Sequence, residues 1–156
     1  MDRTQSFVKG KFLALMATGI AIAFMAGCES ANQVPVTMPA ASIDCSEGSC
    51  GSGLNGRTVI VVVTRSGCGS SANYDFVATG STSVSCSSSR CSGTVSSWRD
   101  ANNSVVTEIL TGRHDVCAYI DTNGDLQQQA GEMEHQSSVT ISDNAPLVLD
   151  SWDATP

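Results

Sequence analysis

The chain has 156 residues, with fifteen acidic side chains against eight Lys and Arg and a formal net charge of −7. Such a surface repels phosphate backbones and anionic headgroups, which excludes nucleic acid as a partner. A chain of this length holds one domain with a modest core, and with aromatics at only 5% that core must be filled by Val, Ile and Leu.

The N-terminus opens with Arg3, Lys9 and Lys11 and continues through an uncharged apolar stretch from Phe12 to Ala26. That stretch has the length of a signal-peptide core and is short for a bilayer-spanning helix, which needs about 20 apolar residues. It ends in Phe24-Met25-Ala26-Gly27-Cys28. Two small residues fit an extended peptidase groove, and the cysteine supplies a thiol for acylation. The run resembles the lipobox of bacterial lipoproteins, with Met25 where leucine is commoner. The resemblance implies that residues 1–27 are a cleaved signal peptide and that Cys28 becomes a lipidated (palmitate-bearing) N-terminus anchored in a cell-envelope membrane. By analogy with lipoprotein sorting, Glu29 in place of aspartate after the cysteine favours the outer membrane over the inner.

From Cys28 onward the chain carries five arginines, no lysine and fourteen acids, a formal charge of −9. Residues 28–42 hold Pro35, Pro39 and small polar residues without periodicity, and read as a flexible tether spanning on the order of 20 Å. Residues 43–156 are then a single domain. Its first part, 43–56, is glycine-rich and patternless, and reads as an edge loop.

Apart from Cys28, six cysteines remain: Cys45, Cys50, Cys68, Cys86, Cys91 and Cys117. An even number in an exported chain reads as a disulfide framework, with every connectivity formally open. Cys45/Cys50 and Cys86/Cys91 share the spacing C-x4-C, which leaves Cys68 for Cys117. Zinc is the alternative use of such spacing, disfavoured by an oxidising compartment and by the presence of only two histidines. No C-x-x-C suggests thiol redox catalysis.

Regular structure is expected from Thr58. The β-branched run Thr58 to Thr64 predicts a central strand buried on both faces. Tyr74 to Thr79 predicts a second strand, with Tyr74, Phe76 and Ala78 on one face. Ser81–Cys86 and Cys91–Ser97 flank Ser87-Ser88-Ser89-Arg90 and predict a hairpin with Cys86 opposite Cys91, Val84 opposite Gly93 and Thr82 opposite Val95. Its other face, Ser81, Ser83, Ser85, Ser92, Thr94 and Ser96, is a hydroxyl-rich solvent surface. Ser104 to Leu110, His114 to Asp121, Ser137 to Ser142 and Pro146 to Ser151 are further strands. Seven or eight short strands with no amphipathic helix predict an all-β, antiparallel β-sandwich stabilised by disulfides. Trp98 and Trp152 are expected in its core.

One stretch carries site chemistry. Residues 121–132 place Asp121, Asn123, Asp125, Gln127 and Glu132 at the first, third, fifth, seventh and twelfth positions of an EF-hand-type calcium loop. Leu126 stands where such a loop has glycine, and Gln128 where it has an apolar residue. The flanks are strand-like, so this is not an EF-hand domain, and Asn123-Gly124 alone also suits a type I′ turn. The segment Val116 to Glu132 is similar to the strand-plus-acidic-loop of transthyretin-like or immunoglobulin-like domains in secreted bacterial proteins. That similarity implies a binding or structural module without naming its ligand.

For catalysis the sequence offers His114-Asp115, His135 with Glu132 and Glu134, and many serines, but no G-x-S-x-G, H-E-x-x-H or glycine-rich phosphate loop. His114 reads as a strand-entry residue and His135 as a solvated loop residue. The expectation is a non-catalytic, envelope-anchored module, calcium-stabilised if the acidic loop binds an ion, with an envelope protein or glycan as partner. The alternative is a small cell-surface hydrolase or inhibitor-like domain.

Overall fold

The computed structural model describes residues 33–46, 50–68 and 75–154. Met25–Cys28, Glu29 and Tyr74 lie outside them. The described residues form strands β1 (Pro35–Thr37), β2 (Ala41–Cys45), β3 (Thr58–Thr64), β4 (Phe76–Ser83), β5 (Ser85–Cys86), β6 (Cys91–Val95), β7 (Glu108–Leu110), β8 (Gly112–Asp121), β9 (Met133–Ile141), β10 (Leu147–Leu149) and β11 (Asp153–Ala154). Among the described residues a 3-10 turn occupies Ser52–Leu54.

These strands make three sheets: five strands in the order β11-β9-β8-β3-β4, four in the order β10-β2-β6-β5, and the pair β1-β7. The valine run sits where its composition demands. β3 is hydrogen-bonded to β4 on one side and β8 on the other, with Val59, Val61 and Val63 fully buried. Its opposite face, Thr58, Ile60 and Val62, is only half-buried, so one face and not both makes the core. On β8 the alternation Val116, Ala118, Ile120 faces inward. The four-stranded sheet answers with Ala41, Ile43, Val95, Leu147 and Leu149, and Trp98 and Trp152 join the same apolar cluster. The result is an all-β domain of packed sheets.

Four local expectations are corrected. Residues 35–37 and 41–45 are strands, although the tether was expected to run to residue 42 and an edge loop to follow it. Ala41, Ile43 and Cys45 alternate inward, but three inward positions beside two prolines, with Ile43 the only large one, leave that period too short to read. The sheets are not wholly antiparallel, since β10 runs parallel to β2. Parallel neighbours need a long connection, and these two strands lie near opposite ends of the domain sequence. The hairpin keeps Cys86 opposite Cys91 and Ser85 opposite Ser92, and stops there. At Val84 the chain crosses between sheets, held by its N–H on the Arg57 carbonyl (3.0 Å) and its carbonyl on the Gly56 N–H (2.9 Å). Thr82 therefore pairs with Val59 of β3, not with Val95. Finally, His135 is a buried β9 residue and not a solvated one.

Disulfides join Cys45 to Cys50, Cys86 to Cys91 and Cys68 to Cys117, with Cα separations of 5.8, 4.0 and 5.6 Å. Cys45 and Cys91 are register partners on β2 and β6, so two bridges lie side by side at one end of the smaller sheet. Cys117 points away from the inward-facing Val116 and Ala118, which puts its bridge on the outer face of the larger sheet.

The sheets approach closely at Gly80 of β4. A Cβ there would lie 2.4 Å from Val95 Cγ1, 2.7 Å from the Ser97 carbonyl and 3.1 Å from the Trp98 ring. Two of those neighbours are a branched core side chain and backbone, neither free to retreat. Gly80→Ala should cost about 1–3 kcal/mol as overpacking, and lower the melting temperature by several degrees. A melt matching the unsubstituted protein would show that the sheets are not in contact at this point.

Candidate functional site

The acidic loop leaves β8 at Asp121 and re-enters the sheet at Met133, and its two terminal carboxylates are buried. Burial of a carboxylate is tolerated only when hydrogen bonds replace water. Asp121 Oδ1 accepts the N–H groups of Gly124 (2.6 Å) and Asn123 (3.2 Å), and Oδ2 accepts that of Leu126 (3.0 Å). Glu132 Oε1 accepts the Thr122 N–H (2.8 Å) and hydroxyl (3.1 Å), and Oε2 accepts the Gln129 N–H (3.0 Å). The two residues thus close the loop from both ends.

Between them the polar side chains form a relay. Asn123 Oδ1 accepts the Asp125 N–H at 2.9 Å, and Asp125 Oδ1 accepts the Gln127 N–H at 2.9 Å. Asp125 Oδ2 also accepts hydrogen bonds from the amides of Asn123 and Gln129. Tyr119 donates its hydroxyl to the Leu126 carbonyl at 2.6 Å, tying the loop to the outer face of the sheet. Leu126 itself has φ +61°, a left-handed conformation that glycine would take freely. The chain makes the sharp turn of a sixth-position glycine with a leucine, whose side chain is 64% exposed.

Electrostatics follow from these bonds. Burial pushes the Asp121 carboxyl upward, but the N–H groups of Gly124, Leu126, Asn123 and Asp125 outweigh it and hold the group below its ordinary range. The Tyr119 phenol is raised, first by burial and then by the charges of Asp121, Glu132 and Asp125, so it stays a donor. Of the calcium set, Asp121, Asn123 and Asp125 do share one turn, but their oxygens are directed at N–H donors. Among the described residues no three His, Cys, Asp or Glu side chains converge on a common metal position. In this conformation the residues do not present a ready coordination shell.

The two histidines are separate. His135 sits on β9 with Nδ1 2.7 Å from the Ser151 carbonyl and Nε2 2.9 Å from Ser137 Oγ, beside the Trp152 ring at 5.7 Å. The carbonyl can only accept, which makes Nδ1 the donor in that contact. A backbone carbonyl, not a carboxylate, orients this ring, unlike the base of a Ser/His/acid triad. His114 on β8 places Nδ1 3.1 Å from the Gly112 carbonyl, while its buried Nε2 has no hydrogen-bond partner among the described residues. Neither histidine was legible as a core residue, because polar side chains on an inward face carry no hydropathic period.

Open hollows adjoin these groups, and one of ≈190 Å³ is lined by Cys68, Asp115, Gln136, Ser138 and the His135 partner Ser137. Another of ≈350 Å³ on the outer face of the larger sheet is lined by Ile60, Thr79, Ser81, Arg99 and Leu126, with neither histidine in its wall. Comparison of the chain with protein families, curated proteins and solved structures finds no match in any of the three.

The state of His114 sets a pH dependence. Burial, and secondarily the Arg65 charge, hold its imidazole below the ordinary 6.5, against the Gly112 carbonyl and Asp115. The unfolded chain therefore takes up a proton near pH 6.5 that the folded chain refuses, so stability falls as pH drops below that value. The contribution from Asp121, lowered from 3.8, is fully present above that value and is lost only in stronger acid. Denaturant titrations between pH 7 and 5 should show this loss, and His114→Leu should flatten it. An equal slope in the variant would assign the effect to another group.

Proposed function

We propose that this protein is an envelope lipoprotein whose β-sandwich-type domain is a non-catalytic binding or structural module. The observation that carries the reading is the cysteine pairing. Six cysteines close among themselves into three bridges, so no described cysteine is left for Cys28. Disulfides persist in exported compartments, and the one cysteine outside the framework stands in the sequence context of an acylation site. The lipid and the bridges point to the same side of the cytoplasmic membrane. The partner in this reading is an envelope protein or glycan, and the outer membrane is the expected address.

The anchor is tested by metabolic labelling with a palmitate analogue followed by fractionation. The natural chain should be labelled and sediment with membranes, whereas Cys28→Ser should lose the label and stay unprocessed or become soluble. A labelled Cys28→Ser chain, or an unlabelled natural one, would overturn the reading.

Calcium stabilisation is a second reading, favoured by the loop spacing and by the left-handed Leu126 at the sixth position. Binding would need Asp121, Asp125 and Glu132 to redirect oxygens that now accept N–H groups. Under this reading millimolar calcium raises the melting temperature and a chelator lowers it again. A melt indifferent to both leaves the loop as a turn that holds itself.

A further inference from the structure

We infer that the Val34/Thr111–Arg113 end of the domain rests directly against the lipid bilayer, leaving the 121–132 loop as the membrane-distal tip. The inference builds on the lipid anchor at Cys28 and concerns what that anchor does to the domain.

The chain enters the fold at a fixed place. Val34 accepts the Thr111 N–H on its carbonyl (2.8 Å), and its own N–H donates to Thr111 Oγ1 (2.9 Å). The Gln33 amide lies against Gly112, where a glycine Cβ would meet its Nε2 at 3.4 Å. Gln33 is therefore already part of the domain surface, and the five peptide steps from Cys28 reach at most about 17 Å. Of the expected 28–42 tether, residues 35–37 and 41–45 are built into sheets, which leaves 28–32 to join Cys28 to the domain.

β8 converts that entry point into an orientation. Its first residue, Gly112, is at the anchored end, and its last, Asp121, opens the acidic loop. A strand of ten residues holds those ends about 30 Å apart. The leash is shorter than the strand, so the anchored end cannot leave the bilayer by the length of the domain. Charge opposes the domain lying down. Asp121, Asp125, Glu132 and Glu134 gather at the far end, with Asp153 paired to Glu134, and anionic headgroups repel such a tip. The anchored end is mixed, with exposed Arg113 and apolar Val34 beside the acidic Asp143 and Glu108, so the short leash and not local charge carries the orientation.

The test uses the full acylated chain reconstituted in vesicles of phosphatidylethanolamine and phosphatidylglycerol carrying a headgroup quencher. A fluorophore is placed by an unnatural amino acid at Arg113 or at Gln127, both exposed. Asn144, three residues beyond the Gly112 partner Ile141, gives a second anchored-end position should the first variant fail to fold. Quenching should be strong at positions 113 and 144 and several-fold weaker at 127. Equal quenching at both ends, or the reverse order, on acylated protein overturns the orientation and leaves the anchor intact. Protein that carries no acyl group and does not bind the vesicles overturns the anchor and the orientation together.

Discussion

Strand β8 holds the fold and its loop in register. It pairs with β3 from Asp121↔Thr58 to Asp115↔Thr64, and with β9 from Gly112↔Ile141 to Ile120↔Met133. One face supplies Val116, Ala118 and Ile120 to the core, and the other carries Cys117 and Tyr119 outward. Its start receives the N-terminal chain at Thr111 and Gly112, and its end launches the acidic loop at Asp121. Because both ladders fix its length, the entry point and the loop are held apart as a rigid unit.

Covalent links reinforce the apolar core, and Cys45, Cys50 and Cys91 are themselves buried within it. Cys45 and Cys91 occupy register positions that would otherwise be a small-residue end of the β2–β6 ladder. Cys68–Cys117 spans 49 positions and fastens the segment after β3 to the outer face of β8. Closing loops of that length removes unfolded-state freedom worth about 2–4 kcal/mol, a large share of a marginal domain's stability. An exposed bidentate pair, Arg90 with Asp44, covers the β5–β6 turn and adds little beside these bridges.

Much of this was legible in the residues because their volume and period agree. Thr58–Thr64 could be little other than a central strand, and Val116, Ala118 and Ile120 could share only an inward face. The crossing at Val84 was not legible, since Thr82, Val84 and Cys86 keep one alternation while the chain changes sheets. β2 was hidden because it offers only three inward positions, with Ile43 the one large side chain between Ala41 and Cys45. His114 and His135 are polar members of inward rows, and nothing in a hydropathic pattern distinguishes a buried imidazole from a solvated one. The loop showed the opposite limit. Its spacing fixed which oxygens share a turn, but whether they face an ion or N–H groups depends on backbone angles such as the left-handed Leu126. Here the carboxylates of Asp121 and Glu132 turn to the backbone.

The proposed lipoprotein pairs a lipid on Cys28 with a domain whose other six cysteines are closed. Peptide mapping by mass spectrometry, on protein extracted from membranes without reductant, reads both halves at once. The N-terminal peptide should begin at an acylated Cys28, with bridges 45–50, 68–117 and 86–91. A free Cys28, or a bridge joining it to any of the six, would overturn the proposed anchor.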